Sequence, residues 1–142
     1  MKPCLADVNL VFALLVDSHD HHLAAVDWAN SLALGEFGIC RPVQLAVMRL
    51  LANATIMKEQ VLPASASWHL FAKLRRDERV VMLPEPEDVE RVFPVMLRYS
   101  EATHKLISDA WLAAMAVAGS WKLATFDAGF KQFRGLDLQL LH

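Results

Sequence analysis

Residues 4–9 are Cys4-Leu5-Ala6-Asp7-Val8-Asn9, a short apolar run that leads directly into an aspartate. The same arrangement recurs at 106–111, which contains Asp109, and at 123–127, which ends in Asp127. Each aspartate also opens a segment in which the apolar residues have helical spacing. Because an ionised carboxylate beside buried apolar segments is costly without a partner, these three residues are the leading candidates for a metal-binding cluster.

Short apolar segments alternate with helical patterns along the rest of the chain. We predict five strands, at 5–8, 37–40, 80–83, 122–125 and 136–141. We predict helices at 9–16, at 22–34, at 42–53, from Pro63 onwards, after the turn at 84–86, and at 110–118. Pro94 is expected to kink or end its helix, and Ser108 is expected to cap the last one.

This alternation predicts an α/β fold in which a mostly parallel sheet of about five strands is covered by helices on both faces. In open sheets of this kind, functional groups collect outside the carboxyl ends of the strands. We therefore expect Asp7, Asp109 and Asp127 to meet at that edge, although they are far apart in the sequence.

The composition narrows the class of protein. The chain of 142 residues is long enough to bury a core, and we expect residues 1–142 to form a single domain. The apolar fraction of 55% exceeds the globular average of about 45–50%, which favours a buried sheet, an oligomeric surface or both. The net charge of -2 argues against a generally basic nucleic-acid binder.

The sequence also predicts the compartment. No apolar run approaches the roughly 18 residues of a membrane span, and the N-terminus lacks the layout of a signal peptide. Cys4 and Cys40 lie in strand-like apolar contexts, where we expect them to be buried and reduced, with a disulfide as the less favoured alternative. These features predict a cytoplasmic protein that does not enter the membrane.

Three neighbouring carboxylates repel one another, so at least one pKa should rise unless a cation is bound. Mg²⁺ prefers oxygen ligands and is usually held by one or two carboxylates with waters and substrate phosphates, and Mn²⁺ accepts the same ligand types. Such a site suits phosphodiester hydrolysis, because an ion lowers the pKa of a water molecule and stabilises the leaving oxygen. Asn9 and Thr125 are candidates for orienting the carboxylates.

The aspartates and a histidine tract each have a simpler interpretation than metal binding. A carboxylate in the first turn of a helix is stabilised by the helix dipole by about 0.3–1 kcal/mol, and capping would explain any one of the aspartates alone. The three together, in this order, favour a metal. The tract His19-Asp20-His21-His22 could also bind a metal, but we interpret it as the solvated start of a helix.

The motifs of this chain resemble the PIN-domain family, and within it the VapC-type toxins of bacterial toxin–antitoxin pairs. The matching stretches are LADVN at 5–9, DSHDHH at 17–22 with Ala25 and Trp28 after it, PVQL at 42–45 with RLL at 49–51, SDAWLAA at 108–114 and TFDAGF at 125–130. Each motif is weak alone, but their order and spacing cover nearly the whole chain.

The resemblance implies a PIN-like three-layer α/β/α fold and an endoribonuclease that depends on Mg²⁺ or Mn²⁺ and cleaves RNA. It also implies a homodimer and neutralisation by a cognate antitoxin protein. Asp7, Asp109 and Asp127 match three of the four acidic positions of the family. The fourth, usually a glutamate, falls on Gln44, which we expect to orient a water molecule or to contact the ion through its carbonyl oxygen.

Several alternatives remain at this stage. Arg41 and Arg49 flank Gln44 and are weaker candidates for contacts with RNA. Glu36 could replace the missing acid only if the strand at 37–40 were wrongly assigned. With Gln44 weakening the site, the chain could instead be a PIN-like module that binds RNA or a protein without cutting. A phosphoacceptor receiver domain is disfavoured, because Lys122 lies at the start of its strand.

Overall fold

Five short strands form one parallel sheet in the computed structural model of this protein, which describes residues 2–99 and 103–142. The strands are β1 (Cys4–Ala6), β2 (Phe37–Ile39), β3 (Val80–Met82), β4 (Lys122–Thr125) and β5 (Leu138–Leu140). Their order across the sheet is β3-β2-β1-β4-β5, and all four neighbouring pairs are parallel. The predicted parallel sheet is confirmed.

Seven α-helices flank the sheet within the described parts of the chain. They are α1 (Val8–Leu15), α2 (His22–Asn30), α3 (Arg41–Leu51), α4 (Ala54–Met57), α5 (Ala64–Arg75), α6 (Val89–Met96) and α7 (His104–Gly119). Short 3-10 helices occur at Lys58–Gln60, Leu97–Tyr99 and Ala128–Gln132. None of the helices in the described residues combines the length and apolar character that crossing a membrane requires.

The inner strands β1 and β2 are buried along their whole length. Leu5 and Ala6 have no exposed surface, whereas the edge strands β3 and β5 are half-buried. Gly38 of β2 is required by this packing, because a Cβ at this position would lie 3.0 Å from the carbonyl oxygen of Cys4 and overlap Leu83. Cys4 and Cys40 are buried and free, and burial raises the pKa of each thiol to about 11.

The helix that carries Asp109 begins earlier than predicted. Helix α7 starts at His104, so Ser108 is not its N-cap, and Asp109 lies inside the helix rather than at the end of a strand. The reason is that Leu106 is buried and continues the apolar spacing of Ala110 and Ala113 towards the N-terminus. This burial outweighs the capping preference of a serine that is exposed here.

Smaller differences occur at other helix ends. Helix α2 stops at Asn30 instead of 34, where the hydroxyl of Ser31 donates to the carbonyl oxygen of Trp28 at 2.6 Å. Helix α4 was not predicted, and it is held by the Asn53 side chain, which accepts from the next residues' backbone. Helix α6 runs two residues past Pro94 and ends at Met96.

Candidate metal centre

Asp7 is the first residue after β1 and the N-cap of α1, and it has a relative exposure of only 7%. Its Oδ1 accepts a hydrogen bond from the backbone N–H of Val8 at 2.7 Å, and its Oδ2 accepts one from the hydroxyl of Thr125 at 2.7 Å. Burial raises the pKa of this carboxyl and the charge of Asp127 raises it further, while the two hydrogen bonds oppose the change. Capping therefore describes the contacts of Asp7 but does not explain why a carboxylate is buried here.

Thr125, the last residue of β4, connects two of the aspartates. Strands β1 and β4 pair in parallel with Ala6 opposite Ala124, so Thr125 is level with Asp7. The buried Thr125 hydroxyl donates to Asp7 and accepts from the backbone N–H of Asp127 at 3.0 Å. Asn9 adds to this network, because its Nδ2 lies 3.3 Å from the same hydroxyl and its Oδ1 accepts from the N–H of Phe126. Asn9 and Thr125 thus hold the β1 and β4 ends together.

Asp127 is exposed and begins the 3-10 helix Ala128–Gln132. Its Oδ1 accepts from the backbone N–H of Gly129 at 2.8 Å, so it caps this turn in the way that the simpler interpretation proposed. A Cβ at position 129 would lie 3.0 Å from the same oxygen, so a glycine permits the close approach. Its charge still acts on the other two aspartates, since it raises the pKa of both.

Asp109 reaches the same region from α7, which packs against β4. The side chain is half-buried, and its pKa is raised to about 6, first by this burial and then by the negative charges of Asp7 and Asp127. Lys105, one helical turn earlier, lowers the pKa only in part. The three aspartates are therefore electrostatically coupled, although Asp109 comes from a helix and the others from strand ends.

A cavity of about 450 Å³ opens between Asp7 and Asp109. Arg41 and Arg49 of α3 also line it, which brings together two cationic and two acidic side chains named from the sequence. Neither arginine takes part in an ion pair with the residues that the structure describes. Both guanidinium groups are thus available to a negatively charged ligand in this cavity.

Gln44 lies beside this cavity but does not line it. The side chain is buried, with an exposure of 2%, and its carbonyl oxygen accepts a hydrogen bond from the guanidinium of Arg41. Its Nε2 points to the sulfur of Met48 at 3.9 Å. The oxygen that a metal or a water molecule would need is therefore already bonded to Arg41.

Glu85 is a member of the site that the sequence analysis missed. It lines the cavity together with Asp7 and Asp109, and it belongs to the segment that follows β3. The rule that directed attention to the ends of β1 and β4 applies equally to β3 and could have found it. Glu36, by contrast, precedes β2 at the opposite edge of the sheet and accepts from the N–H of Ala33 at 2.6 Å, so its proposed substitution for the missing acid is wrong.

The donor set fits a hard divalent cation by its chemistry. Asp7 and Asp109 are both carboxylates, both face one cavity, and both have raised pKa values, first because they are buried and then because other aspartates are near them. Mg²⁺ is commonly held by one or two carboxylates with waters completing the octahedron. In residues 2–99 and 103–142, no three acidic, histidine or cysteine side chains are close enough together to form a complete protein cage.

Comparison with known proteins places these features in a family. The PIN domain model matches residues 4–136. Ribonuclease VapC41 of Mycobacterium tuberculosis is 32% identical over 142 residues, which cover 96% of this chain and 97% of the relative. Ribonuclease VapC29 of the same organism is 28% identical over 131 residues, which cover 92% and 90%.

Solved structures show the same fold at lower sequence identity. VapC20 of Mycobacterium tuberculosis, described as a sarcin–ricin loop cleaving toxin, superposes with a TM-score of 0.66 at 17% identity and covers 96% of this chain and 98% of its own. VapBC2 of Rickettsia felis, bound to a DNA fragment from their promoter, gives 0.64 at 11% identity, with 97% and 98% covered. These similarities confirm the PIN-like α/β/α architecture.

Proposed function

The chain belongs to the PIN-domain family, and on this basis we propose that it is a metal-dependent endoribonuclease that acts as the toxin of a toxin–antitoxin pair. The observation that carries the proposal is the pairing of Asp7 with Asp109 across a cavity that also contains Arg41 and Arg49. Two of the relatives are named as ribonucleases, and these names support the same activity.

In this proposal, Asp7 and Asp109 hold Mg²⁺ or Mn²⁺, with Asp127 as the third acidic residue. When bound, the ion supplies a water molecule of lowered pKa and neutralises charge on the phosphate. Thr125 and the N–H of Val8 each bond one oxygen of Asp7, which fixes the orientation of the carboxylate before any ligand arrives. The free-energy cost of ordering this side chain therefore arises during folding and not during metal binding.

Arg41 and Arg49 position the RNA in the same proposal. A guanidinium group can offer two parallel N–H donors to a phosphate, which gives geometric control as well as charge. Gln44 holds Arg41 through its carbonyl oxygen, and direct contact of Gln44 with the ion would use the second lone pair of that oxygen. Gln44 therefore remains a candidate ligand whose present contact is to a phosphate-binding arginine.

The proposed homodimer and antitoxin contacts would cover apolar side chains that are exposed in this structure. Leu23, Leu34 and Ile107 are large apolar side chains with relative exposures of 77%, 61% and 56%. Such residues are stabilised when a partner covers them, and an antitoxin helix with an apolar face would do so. Copurification of the chain with the product of its neighbouring gene would support this; toxicity that this product leaves unchanged would contradict it.

The activity is tested by Asp7→Asn, which keeps one of the two acceptor oxygens of Asp7 and removes the charge. We expect loss of metal-dependent RNA cleavage and loss of Mn²⁺ binding by calorimetry, with the circular dichroism spectrum unchanged. Asp27→Asn is the matched control, because Asp27 is an exposed aspartate of α2 away from the cavity. Full cleavage by folded Asp7→Asn protein, with contaminating nuclease excluded, would refute the mechanism.

A further inference from the structure

The histidine tract at 19–22 forms contacts that solvation of a helix start does not explain. The imidazole of His21 stacks on the ring of Phe126, with centroids 4.4 Å apart and planes inclined by 16°. His19 continues the row, at 5.8 Å from His21, and meets Phe12 edge-on at 5.6 Å. Four rings thus form a continuous row that leads away from Phe126.

This row begins at the carboxylates. Phe126 is the residue between Thr125, which bonds Asp7, and Asp127. The backbone N–H of Phe126 donates to Oδ1 of Asn9 at 3.3 Å, so the position of Phe126 is fixed by the same network that orients Asp7. The ring that supports His21 therefore belongs to a residue that is adjacent in the sequence to two members of the candidate metal centre.

The stack is not needed to hold the two segments in place. The loop of His21 is anchored on one side by helix α2, where the N–H of Ala25 donates to the carbonyl oxygen of His21, and on the other by the N–H of His21 donating to Nδ1 of His19 at 3.0 Å. His21 is nevertheless exposed, and Phe126 is half-buried. The rings therefore offer aromatic surface to solvent at a place where the backbone is already fixed.

The charge state of His19 makes that end of the row a neutral surface. Nδ1 of His19 acts as an acceptor, which requires the neutral ring, and burial together with the neighbouring His21 lowers the pKa of His19. Neutral aromatic faces stack well on nucleobases, whereas phosphates prefer cations. Arg41 and Arg49 already supply cations on the cavity side of the carboxylates.

We propose that His21, supported by Phe126, is the platform on which an unpaired RNA base stacks next to the scissile phosphate. This inference rests on the proposed ribonuclease function and adds to it a residue, His21, that holds a base beside the bond to be cleaved. At the far end of the row, His19 borders a cavity of about 600 Å³ that is also lined by Lys58 and Glu59. A strand that leaves the carboxylates over His21 would reach this cavity and its cation next.

The test measures binding without cleavage. Asp109→Asn protein, which keeps every hydrogen bond of Asp7, is titrated into random-sequence single-stranded RNA oligonucleotides that contain 2-aminopurine, whose fluorescence falls when it stacks. His21→Ala in this background should weaken binding by roughly 5- to 150-fold and abolish the fall in fluorescence, since one base stacked on an aromatic ring contributes that much. His69→Ala is the matched control, because His69 is an exposed histidine of α5 and lines neither cavity.

Two further variants separate stacking from charge. His21→Phe keeps an aromatic face and should retain binding and quenching, while His21→Lys places a cation there without an aromatic face and should lose both. The same oligonucleotides annealed to their complements should bind more weakly than the single strands. Equal binding by His21→Ala and His69→Ala, or retention by His21→Lys with loss by His21→Phe, would overturn the platform. Failure of the parent protein to bind any of these RNAs would instead overturn the proposed function.

Discussion

Replacing Asp109 by asparagine should stabilise the protein at neutral pH in the absence of divalent metal. The pKa of Asp109 is raised from 3.8 to about 6 in the fold, so the folded chain holds this proton more tightly than the unfolded chain does. The folded state is therefore unaffected below pH 3.8, loses stability as the pH rises towards 6, and carries the full penalty above that value. Asparagine keeps the shape of the side chain and removes the penalty.

The magnitude follows from the pKa. A rise from 3.8 to about 6 corresponds to about 3 kcal/mol at 1.36 kcal/mol per pH unit. Because Asp109 is half-exposed, water screens this interaction, and we expect roughly 1–1.5 kcal/mol. Such a gain at the cost of activity is typical of functional sites, where charges are held together for a ligand rather than for stability.

The assay is urea unfolding in EDTA across this pH range, in which the midpoint reports the free energy of unfolding. The difference between Asp109→Asn and wild type should be near zero at the acidic end and reach its plateau above pH 6. Mn²⁺ should then stabilise the wild type more than the variant. Asp27→Asn controls for the loss of an exposed carboxylate. A variant that is no more stable than wild type at neutral pH would contradict a pKa of Asp109 that is raised by burial and by the neighbouring carboxylates.

Three further outcomes can be measured. Thr125→Val removes the buried hydroxyl that donates to Asp7, so the free energy of unfolding should fall by about 1.5–3 kcal/mol and Mn²⁺ binding in calorimetry should weaken; an unchanged unfolding midpoint would exclude this hydrogen bond as a support. Gln44→Glu places a carboxylate beside Arg41, and we expect faster cleavage in an RNA-cleavage assay, whereas a large gain from a silent wild type would favour the alternative of a binding module. Arg49→Ala should weaken RNA binding and reduce the slope of log K against log salt by about 1, and a slope equal to that of wild type would remove Arg49 from the phosphate contacts.

The strand pattern was predictable because it depends on local composition. Short apolar runs separated by helical spacing lead to a parallel sheet, and the parallel pairing of β1 with β4 then brings Asp7 and Thr125 together. Asp109 shows the limit of this reasoning. Its approach to the other acids was predicted. Its location inside α7 was not, because Ser108 suggested a helix start there, whereas the burial of Leu106 extends the helix to His104.

Contacts between side chains were beyond the sequence. The bond from Arg41 to Gln44 depends on which rotamers the packing around α3 permits, and no spacing rule distinguishes it from a Gln44 that faces the cavity. Helix α4 was not predicted, because four residues are too few to show a helical period. The Asn53 side chain that holds it gives only a weak capping signal. The stack of His21 on Phe126 could not be predicted, because the two residues belong to segments that are far apart in the sequence.

The hydrogen bond between Thr125 and Asp7 also determines when the site can form while the chain is being synthesised. The two residues are 118 positions apart, and the strand that delivers Thr125 and the segment that delivers Asp127 are made long after β1. At roughly 5–20 residues per second, this separation takes about 6–24 s of translation. Throughout that interval the growing chain carries Asp7 without its buried partner. The network that orients Asp7 can therefore form only after the chain has been synthesised as far as β4.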